Sequence, residues 1–256
     1  MTRVIKIGGR PQSDPELASK IALDWATARL NGGVVLVHGG GDEVSLLQAM
    51  LGGSTSFVNG RRVTTERDID IVRMALSGTA NKRLVSTLVH CGIDAVGVSG
   101  EDASLIGASP MNADELGFVG VPKTINVAFL RHLLSGGYLP VISPVSRDAN
   151  GSMGVALNVN ADDAAAAIAI AMHAAELLLV ADVEGVMYDG IVISSLTPDM
   201  AARLMADGTA GGGMRAKLDA GLAALAAGVP RVRISDMAGI SDPSRGTALR
   251  AIGGFP

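Results

Sequence analysis

"VVLVHGGGDE", residues 34–43, decides how the chain folds. Val34, Val35, Leu36 and Val37 form an unbroken apolar run. That is the pattern of a strand buried on both faces, not of one wetted at every second residue. The run stops at His38-Gly39-Gly40-Gly41, where three glycines leave only backbone. A helical stretch from Glu43 to Leu51 follows. A strand that turns through glycine into a helix brings bare amides to the positive end of a helix, where anions bind. A tight turn with no ligand would use the same glycines.

The sequence on either side repeats this grammar. Upstream, "RVIKI" (3–7) is a second apolar strand. Ser13-Asp14-Pro15-Glu16 opens a helix, with Asp14 as N-cap and Pro15 at the first helical position. Leu17, Ile21, Trp25 and Ala28 share one face of it, and Asn31-Gly32-Gly33 ends it. Strand, helix, strand, glycine loop, helix is the order of a mostly parallel sheet covered by helices. Downstream, "SFVNGRRVT" (56–64) is a hairpin turning at Asn59-Gly60. A long helix from about 66 to 90 would bury Ile69, Val72, Leu76, Leu84 and Leu88. Further strands are expected at 94–99, 139–143, 154–160, 176–182 and 231–236. Helices are expected at about 161–173 and 214–227, and a short hairpin at 186–193. There is no repeat or linker, so the two halves read as lobes of one sheet.

Composition narrows the classes. The chain has 256 residues and is 48% hydrophobic but 3% aromatic, so aliphatic side chains must build the core. A net charge of −4 argues against a nucleic-acid partner, which calls for a basic face. The single Cys91 allows no internal disulfide and fits a reducing compartment. No run reaches the roughly 18 apolar residues of a membrane span, and the chain enters a strand with no signal-peptide pattern. The expectation is a cytoplasmic protein without a membrane partner.

Two more glycine loops carry a lysine: "KIGG" (6–9) and "GTAGGGMRAK" (208–217). Neither completes a G-x-x-x-x-G-K-[ST] motif. Val44 stands where a dinucleotide fingerprint beginning at Gly39 would need its third glycine. An HGGG loop also serves esterases as an oxyanion hole. The nucleophile elbow that should accompany it fails here, because Glu101 follows Gly97-Val98-Ser99-Gly100.

Taken in order, "KIGG" (6–9), "HGGG" (38–41), "NGRRVT" (59–64), "GTANKRL" (78–84), "GFVG" (117–120), "NVNAD" (158–162), "ADVEGV" (181–186) and "GGGMRAKL" (211–218) make the chain resemble the amino acid kinase family over nearly its whole length. The resemblance implies an α/β fold, a three-layer α/β/α sandwich around an open, mainly parallel sheet. It implies a single domain over 1–256. An N-lobe, about 1–174, would hold an acyl amino acid and the dimer contact, and a C-lobe, about 175–256, would hold ATP. Within the family, "NGRRVT" with "NVNAD" points to phosphorylation of the side-chain carboxylate of N-acetyl-L-glutamate, the second step of arginine biosynthesis. The rival within the family phosphorylates aminoadipate or glutamate attached to an acidic carrier protein, for which Arg61, Arg67, Arg73 and Arg83 would supply a basic rim. A non-catalytic sensor would not need Lys6, Asp162 and Lys217 together.

The residue roles follow from the same resemblance. Lys6 and Lys217 would stabilise the transition state, with Asp162 holding them and Asp163 solvated beside it. Arg62 would take the substrate's α-carboxylate, helped by Asn158, by Asn160 on the same face, and by Gly40 and Gly41. ATP would lie against Gly8, Gly9, Asp182, Val183, Gly185, Gly211, Gly212 and Gly213. Mg²⁺ would arrive on the nucleotide, with no metal ligands of the protein's own. The long helix is apolar enough to support a homodimer. This chemistry suits the residue types. A carboxylate nucleophile with a pKa near 4.3 is ionised at pH 7 and needs no general base. The obstacle is repulsion between two anions, which cations and amides remove. His38 is then a packed or capping residue, Asp42 a helix cap, and Arg61 points away from Arg62. Arg10 divides evenly between phosphate contact and solvation.

Overall fold

The structure is a computed structural model and describes residues 1–8, 16–58, 60–151 and 155–251. Gly9, Arg10, the expected helix start at Asp14-Pro15, and Asn59 lie outside the described residues.

The chain opens with β1 (Arg3–Ile7), α1 (Glu16–Ala28), β2 (Val34–His38) and α2 (Gly41–Met50). The hairpin strands β3 (Phe57–Val58) and β4 (Arg61–Arg62) come next, then α3 (Glu66–Arg73) and α4 (Asn81–His90). The middle of the chain holds β5 (Ala95–Gly100), β6 (Ile106–Pro110), α5 (Ala113–Leu116), β7 (Val119–Ile125), α6 (Val127–Ser135), β8 (Leu139–Asp148), β9 (Ala156–Val159) and α7 (Ala161–Met172). The last part holds β10 (Glu176–Val180), β11 (Met187–Tyr188), β12 (Ile191–Val192), β13 (Ser195–Leu196), α8 (Pro198–Ala206), α9 (Gly212–Ala226), β14 (Val232–Ser235) and β15 (Thr247–Leu249).

The main sheet runs β13-β15-β14-β10-β1-β2-β8-β6-β7-β9, with β5 also on β8. Its centre is parallel: β1 lies between β10 and β2, with Lys6 level with Leu179 on one side and Val37 on the other. Antiparallel pairs are confined to β14–β15, β6–β7 and β8–β9. Alternation along the central strands sorts the side chains into two layers. Val4, Val35 and Val37 pack with α7 and α9, whereas Ile5, Ile7, Val34 and Leu36 pack with α1 and α4. Lys6 has the parity of Val4 and so faces α7. His38 has the parity of Leu36 and so faces α4. The three-layer expectation holds.

The long helix runs unbroken from Glu66 to His90, and Ile69, Val72, Leu76, Leu84 and Leu88 are all buried. Thr65 and Asp68 start it as a capping box. Its middle, Met74–Ala80, is π-helical, a widened turn that re-phases the buried face between the two α-helical ends. Several boundaries differ from expectation. α2 begins two residues earlier than the apolar pattern suggested, so Asp42 is its second residue and not its cap; Gly40 fills that place at φ +146°. α9 begins at Gly212, and β8 continues five residues past Ser143. β6, β7, β13, β15, α5, α6 and α8 have no counterpart in the sequence reading. Among the described residues, no helix is long and apolar enough to cross a membrane.

Candidate active site

β1, the loop after β2, α7 and the β3–β4 hairpin meet at one end of the sheet. They enclose a cavity of about 290 Å³. Its lining includes Lys6, Gly8, Gly39, Gly40, Gly41, Arg62, Asn158, Asn160 and Asp162, which brings together all the residues expected to hold the acyl amino acid, whereas Lys217, Asp182, Val183, Gly185 and Gly211, Gly212 and Gly213 do not line it. The volume is at the small end for ligand pockets, roughly 300–1,000 Å³, and suits a small metabolite.

Asp162 organises the floor. Asn160 caps α7 by accepting the Asp162 amide at 2.7 Å, which fixes the aspartate in the first helical turn. Lys6 Nζ lies 2.9 Å from Asp162 Oδ1, and Lys217 Nζ lies 3.5 Å from Oδ2. Lys6 and Asp162 are each about 5% exposed. Burial alone would push the Asp162 carboxyl up, but the two ammonium groups outweigh it and hold it below the usual carboxylate range. Burial, and next the Lys6 ammonium, push Lys217 down to about 8, against the opposing pull of Asp162. Lys217 is the sixth residue of α9, so it sits in the second turn and not the first. The row Lys6–Asp162–Lys217 thus joins the cavity floor to the helix behind the third glycine loop.

The cation on the other wall is Arg62. Its Nη1 donates to Gln48 Oε1 at 2.6 Å and Thr55 Oγ1 at 3.2 Å, and its Nη2 donates to the Gly41 carbonyl at 2.7 Å and Ser45 Oγ at 2.8 Å. The guanidinium also stands 5.1 Å over the Phe57 ring. Among the described residues, no carboxylate lies within ion-pair distance of it. Neutral acceptors hold Arg62 in position, and Asp68 and Asp42 act on its charge only from beyond ion-pair distance, so no direct ion pair occupies it. The sequence reading missed this support. Ser45 and Gln48 share a face of α2 three residues apart, a spacing that could have revealed it.

Asn158 Nδ2 donates to Thr64 Oγ1 at 3.0 Å, and Thr64 Oγ1 donates to the Arg62 carbonyl at 3.1 Å. With its amide nitrogen turned away to Thr64, Asn158 keeps its carbonyl oxygen for other partners. Thr64 lies two residues from Arg62, the period of one strand face. Asp163 departs from expectation. It is not solvated but receives Arg61 Nη1 at 2.8 Å, because α7 turns it toward the hairpin. Arg61 and Arg62 do diverge, one to α7 and the other to α2.

His38 is fully buried, and that burial pushes its imidazole down to about 4. Nδ1 shares a hydrogen bond with the Gly39 carbonyl at 2.8 Å, and Nε2 lies 3.1 Å from Asn81 Nδ2. With Nδ1 as the protonated nitrogen, both contacts are satisfied and the ring is neutral at pH 7. It packs against α4, outside the cavity.

At Gly40 a Cβ would sit 2.7 Å from Leu76 Cδ2, and the φ of +146° already excludes other residues. Gly41 opens α2 with no side-chain cap. α9 likewise starts at Gly211 and Gly212 with no side-chain cap, and Gly213 follows in its first turn. Gly185 is a packing requirement, since a Cβ there would meet Thr247 Oγ1 at 2.7 Å. Asp182 and Val183 lie exposed on the loop after β10, outside the lining of the cavity.

Residues 1–236 match the sequence profile of the Amino acid kinase family. The chain belongs to that family. An acetylglutamate kinase of Chloroflexus aurantiacus is 43% identical over 244 residues, 93% of each chain. The crystal structure of smu.665 from Streptococcus mutans UA159 matches with a TM-score of 0.87 at 27% identity, over 97% of this chain and 98% of that one. N-acetylglutamate synthase from Neisseria gonorrhoeae, solved with coenzyme A and N-acetyl-glutamate, matches with a TM-score of 0.81 at 25% identity; the match spans 99% of this chain and 60% of that one.

This member of the amino acid kinase family offers little to an acidic carrier protein. Arg61 pairs with Asp163, Arg73 with Asp70 and Glu101, and Arg83 with Glu43, while Arg67 donates to the Leu51 carbonyl. All four guanidiniums are engaged within the chain. Nor does Ser99 serve an esterase: its hydroxyl donates to Asp102 at 2.9 Å. The four histidines include none in the cavity.

Proposed function

We propose that this chain transfers the γ-phosphoryl group of ATP to the side-chain carboxylate of N-acetyl-L-glutamate, giving N-acetyl-γ-glutamyl phosphate and ADP. The observation that carries the reading is the buried row Lys6–Asp162–Lys217, which links an anion-ready cavity to the glycine-rich start of α9. The similarity to a named acetylglutamate kinase along 93% of both chains supports the choice of substrate.

In this reading the cavity side holds the acyl amino acid. Arg62 takes the α-carboxylate, and the free carbonyl oxygen of Asn158 accepts the amide N–H. The uncapped amides at the start of α2 face the reacting carboxylate. On the other side, Gly211, Gly212 and Gly213 let the start of α9 approach the phosphates of ATP, and Gly8 lines the cavity where the two substrates meet. Asp182 and Val183 would line the nucleotide's approach. Lys6 and Lys217 neutralise charge from opposite ends of the transferring group. Asp162 keeps two ammonium groups close together before substrate arrives, so little reorganisation is needed at the moment of reaction. No proton has to move, since the nucleophile enters ionised.

Mg²⁺, carried by the phosphates, would supply further neutralisation. Among the described residues, no group of three or more His, Cys, Asp or Glu could hold a metal ion. The two lobes then divide the work, with residues up to about 174 on the acyl amino acid and the remainder on ATP. The product would feed arginine biosynthesis.

An ADP-release assay tests the reading. N-acetyl-L-glutamate should support turnover, with far less from glutamate, aminoadipate or no acceptor. Equal rates with all four would remove the assignment.

A further inference from the structure

The β3–β4 hairpin is a separate piece of structure. It pairs over two residues on each side, Phe57 with Arg62 and Val58 with Arg61, and forms its own two-stranded sheet. A hairpin this short is marginal without outside support. Its supports lie on both sides of the cavity. Arg62 reaches back to α2, while Arg61, on the opposite face, crosses to Asp163 on α7 at 2.8 Å. The tip approaches a third element, since a Cβ on Gly60 would lie 3.9 Å from the Gly212 carbonyl oxygen at the start of α9. Asp163 has no ion-pair partner other than Arg61 among the described residues, and its side chain is only 18% exposed.

We propose that Arg61 and Asp163 form a positioning pair that holds the hairpin across the cavity mouth, so that neighbouring Arg62 stays aimed inward and the hairpin tip stays against α9. The inference rests on the functional reading for its kinetic part only. Arg61 does not touch the acyl amino acid in this account; it acts through Arg62. Two consequences separate this from contact with a substrate. Breaking the pair from either end should have the same effect, and breaking both ends should add nothing. The loss should fall on binding of the acyl amino acid and spare the chemical step, because a saturated site holds the hairpin closed.

The experiment uses Arg61→Ala, Asp163→Ala and the double variant in the full chain. The first readout is hydrogen exchange over residues 56–64 without substrates. All three variants should exchange faster there, to the same extent, with β1 unchanged. The second is steady-state kinetics. The KM for N-acetyl-L-glutamate should rise about fivefold in each variant, the range expected of a partly exposed pair. The kcat should stay within about twofold, and Arg61→Lys should recover most of the affinity. Unchanged exchange overturns the proposal. So does a double variant that loses the product of the two single losses, or a fall in kcat at constant KM, which would make Arg61 a contact to the transferring group. If the wild-type chain does not turn over N-acetyl-L-glutamate, the functional reading fails while the exchange data still decide the pair.

Discussion

The titration of Lys217 offers the sharpest test of the buried row. Its ammonium is pushed down to about 8 from an ordinary 10.5. The group is then about nine-tenths protonated at pH 7 and about one-tenth at pH 9. If the charge on Lys217 receives the phosphates, kcat/KM for ATP should fall above pH 8 and approach a tenfold loss per pH unit. Bound ATP restores the proton, so the corresponding limb of kcat should lie at higher pH. The stability of the ligand-free protein moves the other way. Between about pH 8 and 10.5 the unfolded chain holds a proton that the folded chain has released, so this group makes the fold more stable as pH rises through that window. Asp162 is the discriminating perturbation because it pulls Lys217 upward. Asp162→Asn should shift the limb in kcat/KM downward by about one pH unit or more, a loss of about 1.4 kcal/mol per unit in favour of the charged lysine. Lys217→Arg should remove the limb up to pH 10. The assay is a pH series of initial rates, with calorimetry at pH 8.5 in two buffers to detect proton uptake on ATP binding. A wild-type profile flat to pH 10, or an Asp162→Asn limb that stays in place, would refute the reasoning.

Lys6→Ala and Lys217→Ala should each lower kcat by about 10²-fold or more, with smaller changes in KM; single-turnover and steady-state rates check this. Arg62→Lys should raise KM for the acyl amino acid by about tenfold and leave KM for ATP nearly unchanged, because an ammonium cannot span both the Gln48–Thr55 and the Gly41–Ser45 acceptors. His38 titrates near 4 when folded and 6.5 when unfolded, so its contribution to stability is lost as pH falls through that window, about 2 kcal/mol between pH 7 and 5. Urea unfolding of His38→Gln should show a correspondingly flatter dependence on pH. Light scattering should give about twice the 26.0 kDa chain mass, as expected if the exposed Met74 and Val89 of the long helix lie in a two-fold contact.

What could be read from the residues alone depended on how local the signal was. The buried strands around Lys6 and His38 announce themselves, because both faces are covered and the runs are continuous. β6 and β7 escaped notice because "IGASP" and "VGVPKTI" carry glycine and proline inside the strands. They are tolerated in the mixed part of the sheet, away from its parallel centre, where the β6–β7 register shifts between Gly107 and Ala108. α8 was legible in principle, since Thr197 caps it and Pro198 follows at the first position. The candidate site was legible as residue types at three glycine loops. The contacts that hold those residues in place were not. Arg61 and Asp163 are about a hundred residues apart, and no local pattern announces that a solvated-looking carboxylate has a partner. The π-helical turn is equally silent, as its apolar spacing is close to that of an ordinary helix.

The position of β1 between β2 and β10 bears on how the chain is made. Its partner on one side arrives within about thirty residues, but its partner on the other, Glu176–Val180, waits until two-thirds of the chain has been synthesised. Until then the central strand presents an open edge, with backbone groups free to pair with another chain. Contacts of this sequence separation make folding slow and leave growing chains prone to association. Because Asp162 reaches Lys6 from α7, and α7 leads directly into β10, the central seam and the Lys6–Asp162 contact would close in the same late step, before α9 adds Lys217 to the row. A chain released before Glu176 would carry Lys6 and the first two glycine loops, yet lack the strand that covers them.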